Sequence, residues 1–125
     1  FEKHLANNGT KIVKIFLNVS KEEQKQRFLD RINEDDKNWK FSSADVTERG
    51  FWNDYMKAYE SAINKTSTEY APWYVIPADQ KSFSRVAAIQ IIIDKLEKMN
   101  LQYPEVSAKE KSALEDSKIK LENEK

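Results

Sequence analysis

Two arginines and two lysines stand close together before Phe41: Arg27 and Arg31 at i, i+4, then Lys37 and Lys40. A guanidinium keeps its charge at neutral pH and offers a planar fork of donors that meets two phosphate oxygens at once. A mobile arm bearing these four cations is what phosphoryl transfer would use to close over a polyanion. Trp39 and Phe41 are expected to dock that arm. The competing reading is a solvated mixed-charge surface, because Asp30, Glu34, Asp35 and Asp36 alternate with the bases, and exposed pairs of this kind carry little information. A second candidate is the run from Pro77 to Lys81, where Asp79 and Lys81 follow an apolar segment. Ligands of open α/β sheets bind beyond the C-terminal ends of the strands, although Asp79 also suits a plain N-cap of the next helix. Trp52, Tyr55 and Tyr59 could stack on a base, but their helical spacing suits a core stripe.

Several chemistries are excluded by composition. The chain has no cysteine and a single histidine, His4, so thiolate catalysis, Cys-based metal sites and His clusters are out of reach. With only Gly9 and Gly50, it holds neither a G-x-x-x-x-G-K-[ST] phosphate loop nor a G-x-G-x-x-G turn. Its 21 basic and 21 acidic residues cancel, which gives no support to a nucleic-acid partner. No apolar run approaches the ~20 residues of a membrane span, no signal-peptide pattern is visible, and a cytoplasmic protein is expected. At 125 residues there is room for one domain or part of one. The 39 % apolar and 34 % charged content favours long exposed helices over a dense globule. The chain opens on Phe1 inside a helical pattern and is expected to be a fragment of a longer protein.

The elements that must hold these residues follow from local pattern. Phe1 to Ala6 reads as a helix end, with Asn7-Asn8-Gly9 supplying a left-handed cap. Lys11 to Leu17 is almost continuously apolar and β-branched, the look of a strand covered on both faces. Ser20-Lys21-Glu22-Glu23 is a capping box that opens a helix to about Ile32. A loop runs from Asn33 to Phe41, and Ser42 or Ser43 then caps a helix to about Asn64. Trp73 to Ile76 is a second short buried strand, stopped by Pro77. A final core helix from Lys81 to about Met99 is expected to bury Phe83, Val86, Ala87, Ile89, Ile93 and Leu96. From residue 107 to 125 the charged tail reads as weak surface helix or disorder. Buried strands alternating with helices mean an α/β fold with a parallel sheet, and a sheet needs more than two strands, so further strands are expected upstream.

Four stretches, in this order and spacing, carry a resemblance: Phe1–Leu17, Ser20–Phe28, Asn38–Ser42 and the unusual Thr66-Ser67-Thr68-Glu69-Tyr70-Ala71-Pro72-Trp73 continuing to Asp79. From Phe1 to about residue 106 the chain resembles the C-terminal half of polyphosphate kinase family 2. The resemblance implies part of a P-loop kinase-like three-layer parallel sheet. It implies phosphoryl transfer between inorganic polyphosphate and nucleoside mono- or diphosphates, with ATP among the nucleotides and Mg2+ bound by upstream residues. It makes Arg31 the principal arginine of a lid spanning about residues 27–41, with Arg27 one turn earlier. Lys37 and Lys40 would then face polyphosphate, and Asp79 and Lys81 the nucleotide. The family often has His where Asn18 stands. The parent is expected to be a homo-oligomer, with the aromatic helix from Ala44 to Asn64 as an interface, and the fragment alone is expected to be inactive. A nucleoside monophosphate kinase fragment and a non-enzymatic helical interaction module are the alternatives.

Overall fold

The computed structural model describes residues 1–124. Helix α1 (Glu2–Asn7) closes as the Asn-Asn-Gly pattern requires. Gly9 sits at φ +86°, and the N–H groups of Gly9 and Thr10 donate to the carbonyls of Ala6 and Leu5, both at 3.1 Å. Only glycine takes that left-handed position without steric cost.

Strands β1 (Lys14–Asn18) and β2 (Trp73–Pro77) pair in parallel, with Lys14 opposite Trp73 and Asn18 opposite Pro77. The α/β class and the parallel pairing are as expected, and Pro77 ends the strand from within it. Coverage on both faces is not as expected. Ile15 and Phe16 are only half-buried, and Leu17 and Val75 are 52 % and 51 % exposed, while Ile76, Ala71 and Ala78 are buried. The sheet has two strands among the described residues, so its outer edges and part of one face meet no neighbour.

Helix α2 (Lys21–Asn33) begins where Ser20 Oγ accepts the Glu23 N–H at 3.1 Å. Such a cap is worth about 1 kcal/mol. The reciprocal half of the capping box is corrected by the structure: Glu23 turns to Arg27, and the Ser20 N–H donates to Asp79 Oδ1 at 2.7 Å. Asp79 therefore caps the start of α2 across the sheet. The expected loop after α2 is a 3-10 helix over Asp35–Lys40. Trp39 is no anchor, being 77 % exposed with its indole N–H donating to the Asp36 carbonyl at 3.0 Å. Phe41 does dock, edge-on to Phe28 at 6.3 Å between ring centroids.

The helix expected as one piece to Asn64 is broken. Ser42 caps α3 (Ser43–Glu48), a 3-10 turn covers Arg49–Phe51, and α4 runs from Trp52 to Thr66. Gly50 costs an α-helix about 1 kcal/mol against alanine, and the tighter turn there opens on Arg49.

Helix α5 (Lys81–Lys98) presents a different face from the one its large residues suggest. Ser84 is buried and Ala87, Ala88, Ile91 and Lys95 are half-buried, with Lys95 Nζ 5.9 Å from the centroid of the Tyr74 ring. Phe83, Val86, Ile89, Ile93 and Leu96 are all exposed. Small side chains let a helix backbone come close, so they take the packed side, and the large ones stay exposed.

A second compact unit starts at Leu96. It carries α6 (Ala108–Glu122), which opens with a complete capping box between Ser107 and Glu110, so this stretch is helical. The Ser107 N–H and hydroxyl both donate to the Glu110 carboxylate, holding its pKa below the ordinary value.

Candidate functional site

An open cleft of about 510 Å3 lies where β1 ends. Phe16 to Val19 form its floor, α2 one wall through Gln24, Arg27, Phe28 and Arg31, and the α3–α4 corner the other. Parallel strands place their C-terminal ends together, and that is where an α/β sheet leaves space for a ligand.

The two arginines of α2 differ in what they are already doing. Arg27 Nε donates to Glu23 Oε1 at 2.8 Å, and one of its Nη groups reaches the carbonyls of Ala78 and Asp79 at 2.7 and 3.1 Å. It ties α2 to the end of β2. Arg31, one turn later, lies 5.6 Å from the centroid of the Phe28 ring and makes no ion pair among the described residues. It is half-buried, resting on Phe28, which in turn meets Phe41 edge-on. Its donors face a cleft that holds Asp45 and Glu48 on the opposite side.

The remaining candidates lie elsewhere. Lys37 is paired with Glu34, whose hydrogen bond raises the Lys37 pKa. Lys40 is exposed, with Nζ 4.9 Å from the centroid of the Trp39 ring. Neither contributes to the cleft wall. Asp79 borders a separate recess of about 310 Å3 with Asn18, Ser20, Pro77, Gln80 and Phe83. The Ser20 N–H bound to its carboxylate, with the Ser20 hydroxyl nearby, holds the Asp79 pKa below the ordinary value, and Arg27 adds a smaller pull in the same direction. Lys81 is exposed at the start of α5 and borders neither space.

The aromatic stripe is a wall of the cleft instead of buried core. Tyr55 and Tyr59 are each 43 % exposed, stacked with centroids 6.2 Å apart, and Tyr59 meets Phe16 at 4.9 Å. The Tyr55 hydroxyl donates to Glu48, which raises the Tyr55 pKa.

Two residues escaped the sequence reading. Asn38 Nδ2 donates to the carbonyls of Arg31 and Ile32 at 2.8 and 2.9 Å, capping the end of α2 beneath the site. Its position five residues past the helix end carried no local signal. Arg49 donates from Nη1 to the Lys21 carbonyl and to Gln24 Oε1, both at 2.8 Å, and lines the cleft beside Trp52. Among the described residues no group of three His, Cys, Asp or Glu side chains stands close enough to hold a metal ion.

The family profile for polyphosphate kinase 2 matches residues 1–104. The chain belongs to the polyphosphate kinase 2 family. It is 53 % identical over 124 residues to an uncharacterized protein in the chlN 3′ region of Leptolyngbya boryana, covering 99 % of this chain and 91 % of that one. It is 52 % identical over 106 residues to an ADP-polyphosphate phosphotransferase of Rhodopseudomonas palustris, covering 85 % of this chain and 37 % of that enzyme. The crystal structure of polyphosphate kinase 2 from Arthrobacter aurescens TC1 superposes with a TM-score of 0.84 at 44 % identity, over 94 % of this chain and 43 % of that one. This polyphosphate kinase 2 chain thus spans well under half of the named phosphotransferase and of the solved kinase. No helix is long and apolar enough to cross a membrane among the described residues.

Proposed function

We propose that this chain is the arginine-bearing part of a polyphosphate:nucleotide phosphotransferase, set in a P-loop kinase-like three-layer sheet. The observation that carries the reading is Arg31: a supported guanidinium without an acidic partner among the described residues, lining a cleft at the end of a parallel strand. A cation held without a counter-ion is prepared for an anionic ligand, since a phosphate supplies the partner the fold withholds.

In the proposed reaction a terminal phosphate oxygen of a nucleoside mono- or diphosphate attacks the end phosphorus of polyphosphate. A P–O bond forms to the nucleotide, and the bridging P–O bond breaks with its electron pair left on the shortened chain. Transfer in the other direction uses the same groups. Arg31 donates two N–H groups to the non-bridging oxygens of the moving phosphoryl, where charge redistributes. Arg27 holds α2 in place and offers its remaining donors to the polyphosphate chain, and Lys37 and Lys40 meet the chain further out. Asp79 and Lys81 are assigned to the nucleotide side. The described residues do not fit a magnesium site, having no suitable carboxylate group, and the roles above belong to side chains alone. A homo-oligomeric, cytoplasmic enzyme is part of the same proposal.

The test is an assay of the enzyme that contains this chain, with polyphosphate and each nucleotide. Consumption of polyphosphate coupled to nucleotide phosphorylation is expected. Phosphate transfer from ATP to a nucleoside monophosphate, with polyphosphate inert, would replace this reading by the monophosphate kinase alternative. Residues 1–125 alone are expected to show no turnover, because the sequence holds no glycine-rich phosphate loop to position the nucleotide.

A further inference from the structure

Besides the Asn38 cap at its C-terminal end, helix α2 is held by polar or charged ties at three points among the described residues. Asp79 takes the Ser20 N–H at its start, Arg27 reaches the Ala78 and Asp79 carbonyls from its middle, and Arg49 grips its first turn. The first two ties fix α2 to β2. Only the third connects it to the α3–α4 corner, the opposite wall of the cleft. Arg49 Nη1 donates to the Lys21 carbonyl and to Gln24 Oε1, each at 2.8 Å, while its guanidinium carbon lies 6.0 Å from the centroid of the Trp52 ring. Arg49 opens the 3-10 turn that separates α3 from α4.

We infer that Arg49 is a positioning residue: by clamping the first turn of α2 to the α3–α4 corner, it sets the width of the cleft between Arg31 and the Trp52–Tyr55 wall. The inference deepens the phosphotransferase reading and rests on it for its kinetic consequence. Arg49 Nη1 spends both of its N–H groups on α2, and the bonds it makes hold the guanidinium against the first turn of that helix. On this assignment Arg49 acts through α2, and the variants below separate that role from direct phosphate binding by its remaining donors. Loss of the clamp lets the walls separate, and misplacement by about 1 Å can cost about 10²-fold in rate when geometry carries the catalysis. Lysine in place of arginine keeps the charge but cannot hold both acceptors while stacked on the indole.

Two measurements decide it. In the enzyme containing this chain, Arg49→Lys and Gln24→Met are each expected to lower kcat about tenfold with KM within about twofold, since the substrate contacts themselves remain. The double variant should be little worse than Arg49→Lys alone, because the bond lost with Gln24 is already one of the two lost with Arg49. An Arg49 that binds phosphate directly predicts the opposite: Gln24→Met silent, and Arg49→Lys raising KM. That result, or additive losses, overturns the clamp. Hydrogen exchange on the same variants, read against a melting curve, needs no activity. Amides of α2 should exchange faster while those of β1, β2 and α5 are unchanged, and an unaltered α2 overturns the proposal. An unsubstituted enzyme that leaves polyphosphate untouched sinks the phosphotransferase reading alone, and the exchange data still decide the clamp.

Discussion

The two ends of the same pair of strands treat a cation in opposite ways. At the N-terminal end, Lys14 Nζ donates to Glu2 Oε2 at 2.8 Å and to the Thr66 carbonyl at 2.6 Å, and lies 5.4 Å from the centroid of the Trp73 ring. Thr66 Oγ1 in turn accepts the Trp73 indole N–H at 2.8 Å and donates to the Ala62 carbonyl at 2.6 Å. With its side chain 11 % exposed, Lys14 has little left to offer a ligand. At the C-terminal end, Arg31 rests on Phe28 above an open cleft and has no acidic partner among the described residues. Position on the sheet decides the difference. The N-terminal end is sealed by α1 and the end of α4, so a charge there must be satisfied internally, whereas the C-terminal end opens to solvent.

Substitution should separate the two ends. The largest effect is expected at Arg31. Arg31→Ala in the full enzyme should reduce turnover by about 10³–10⁵-fold if the guanidinium stabilises the transferring phosphoryl, while the melting temperature stays close to the original. Arg31→Lys should recover part of the loss. A well-folded Arg31→Ala enzyme of normal rate would end the lid assignment. Arg27→Ala mixes the two behaviours. Losing its bonds to Glu23, Ala78 and Asp79 should cost about 1–3 kcal/mol of stability, with a milder kinetic loss that appears in KM more than in kcat.

Lys14→Met keeps the aliphatic stem and removes only the charge. It should destabilise the fold by about 1–3 kcal/mol, through the stranded Glu2 carboxylate and Thr66 carbonyl, with kcat per folded molecule unchanged. A rate loss without a stability loss would erase the contrast between the ends. The smallest effect belongs to Asp79. Its folded-state pKa is depressed by the Ser20 donors. Its stabilising contribution is therefore complete above the unfolded carboxylate range and lost as pH falls through the folded value. Melting curves of the original and of Asp79→Asn should differ at neutral pH and converge in acid. Parallel curves at every pH would show that the tie between β2 and α2 contributes no linkage.

Much of the architecture was legible because it is local. Gly9 closes α1, Ser20 opens α2, and the apolar runs at Ile15 and Val75 make strands, since each depends on neighbours within a few residues. The pair Arg27 and Arg31 was also legible, because i, i+4 spacing on a capped helix fixes them to one face. Pattern alone did not distinguish them. Arg27 is tied down by carbonyls 51 and 52 residues away in sequence, and no local rule foresees such a contact.

The same limit explains the rest. For α5, the expected inner face joined Ala87 to Phe83, Val86 and Ile89, yet only Ala87 of these packs, beside Ser84 and Ala88, because backbone approach depends on size. Arg49 carried no signal in the sequence, and only the fold brings it to Lys21 and Gln24, 28 and 25 residues away. By itself the sequence determined the family, the order of the elements and the presence of phosphate-suited arginines. Which of those arginines holds the fold, and which is left for a ligand, was decided by tertiary structure alone. A guanidinium's role is set by the acceptors within reach, and those are gathered from distant parts of the chain.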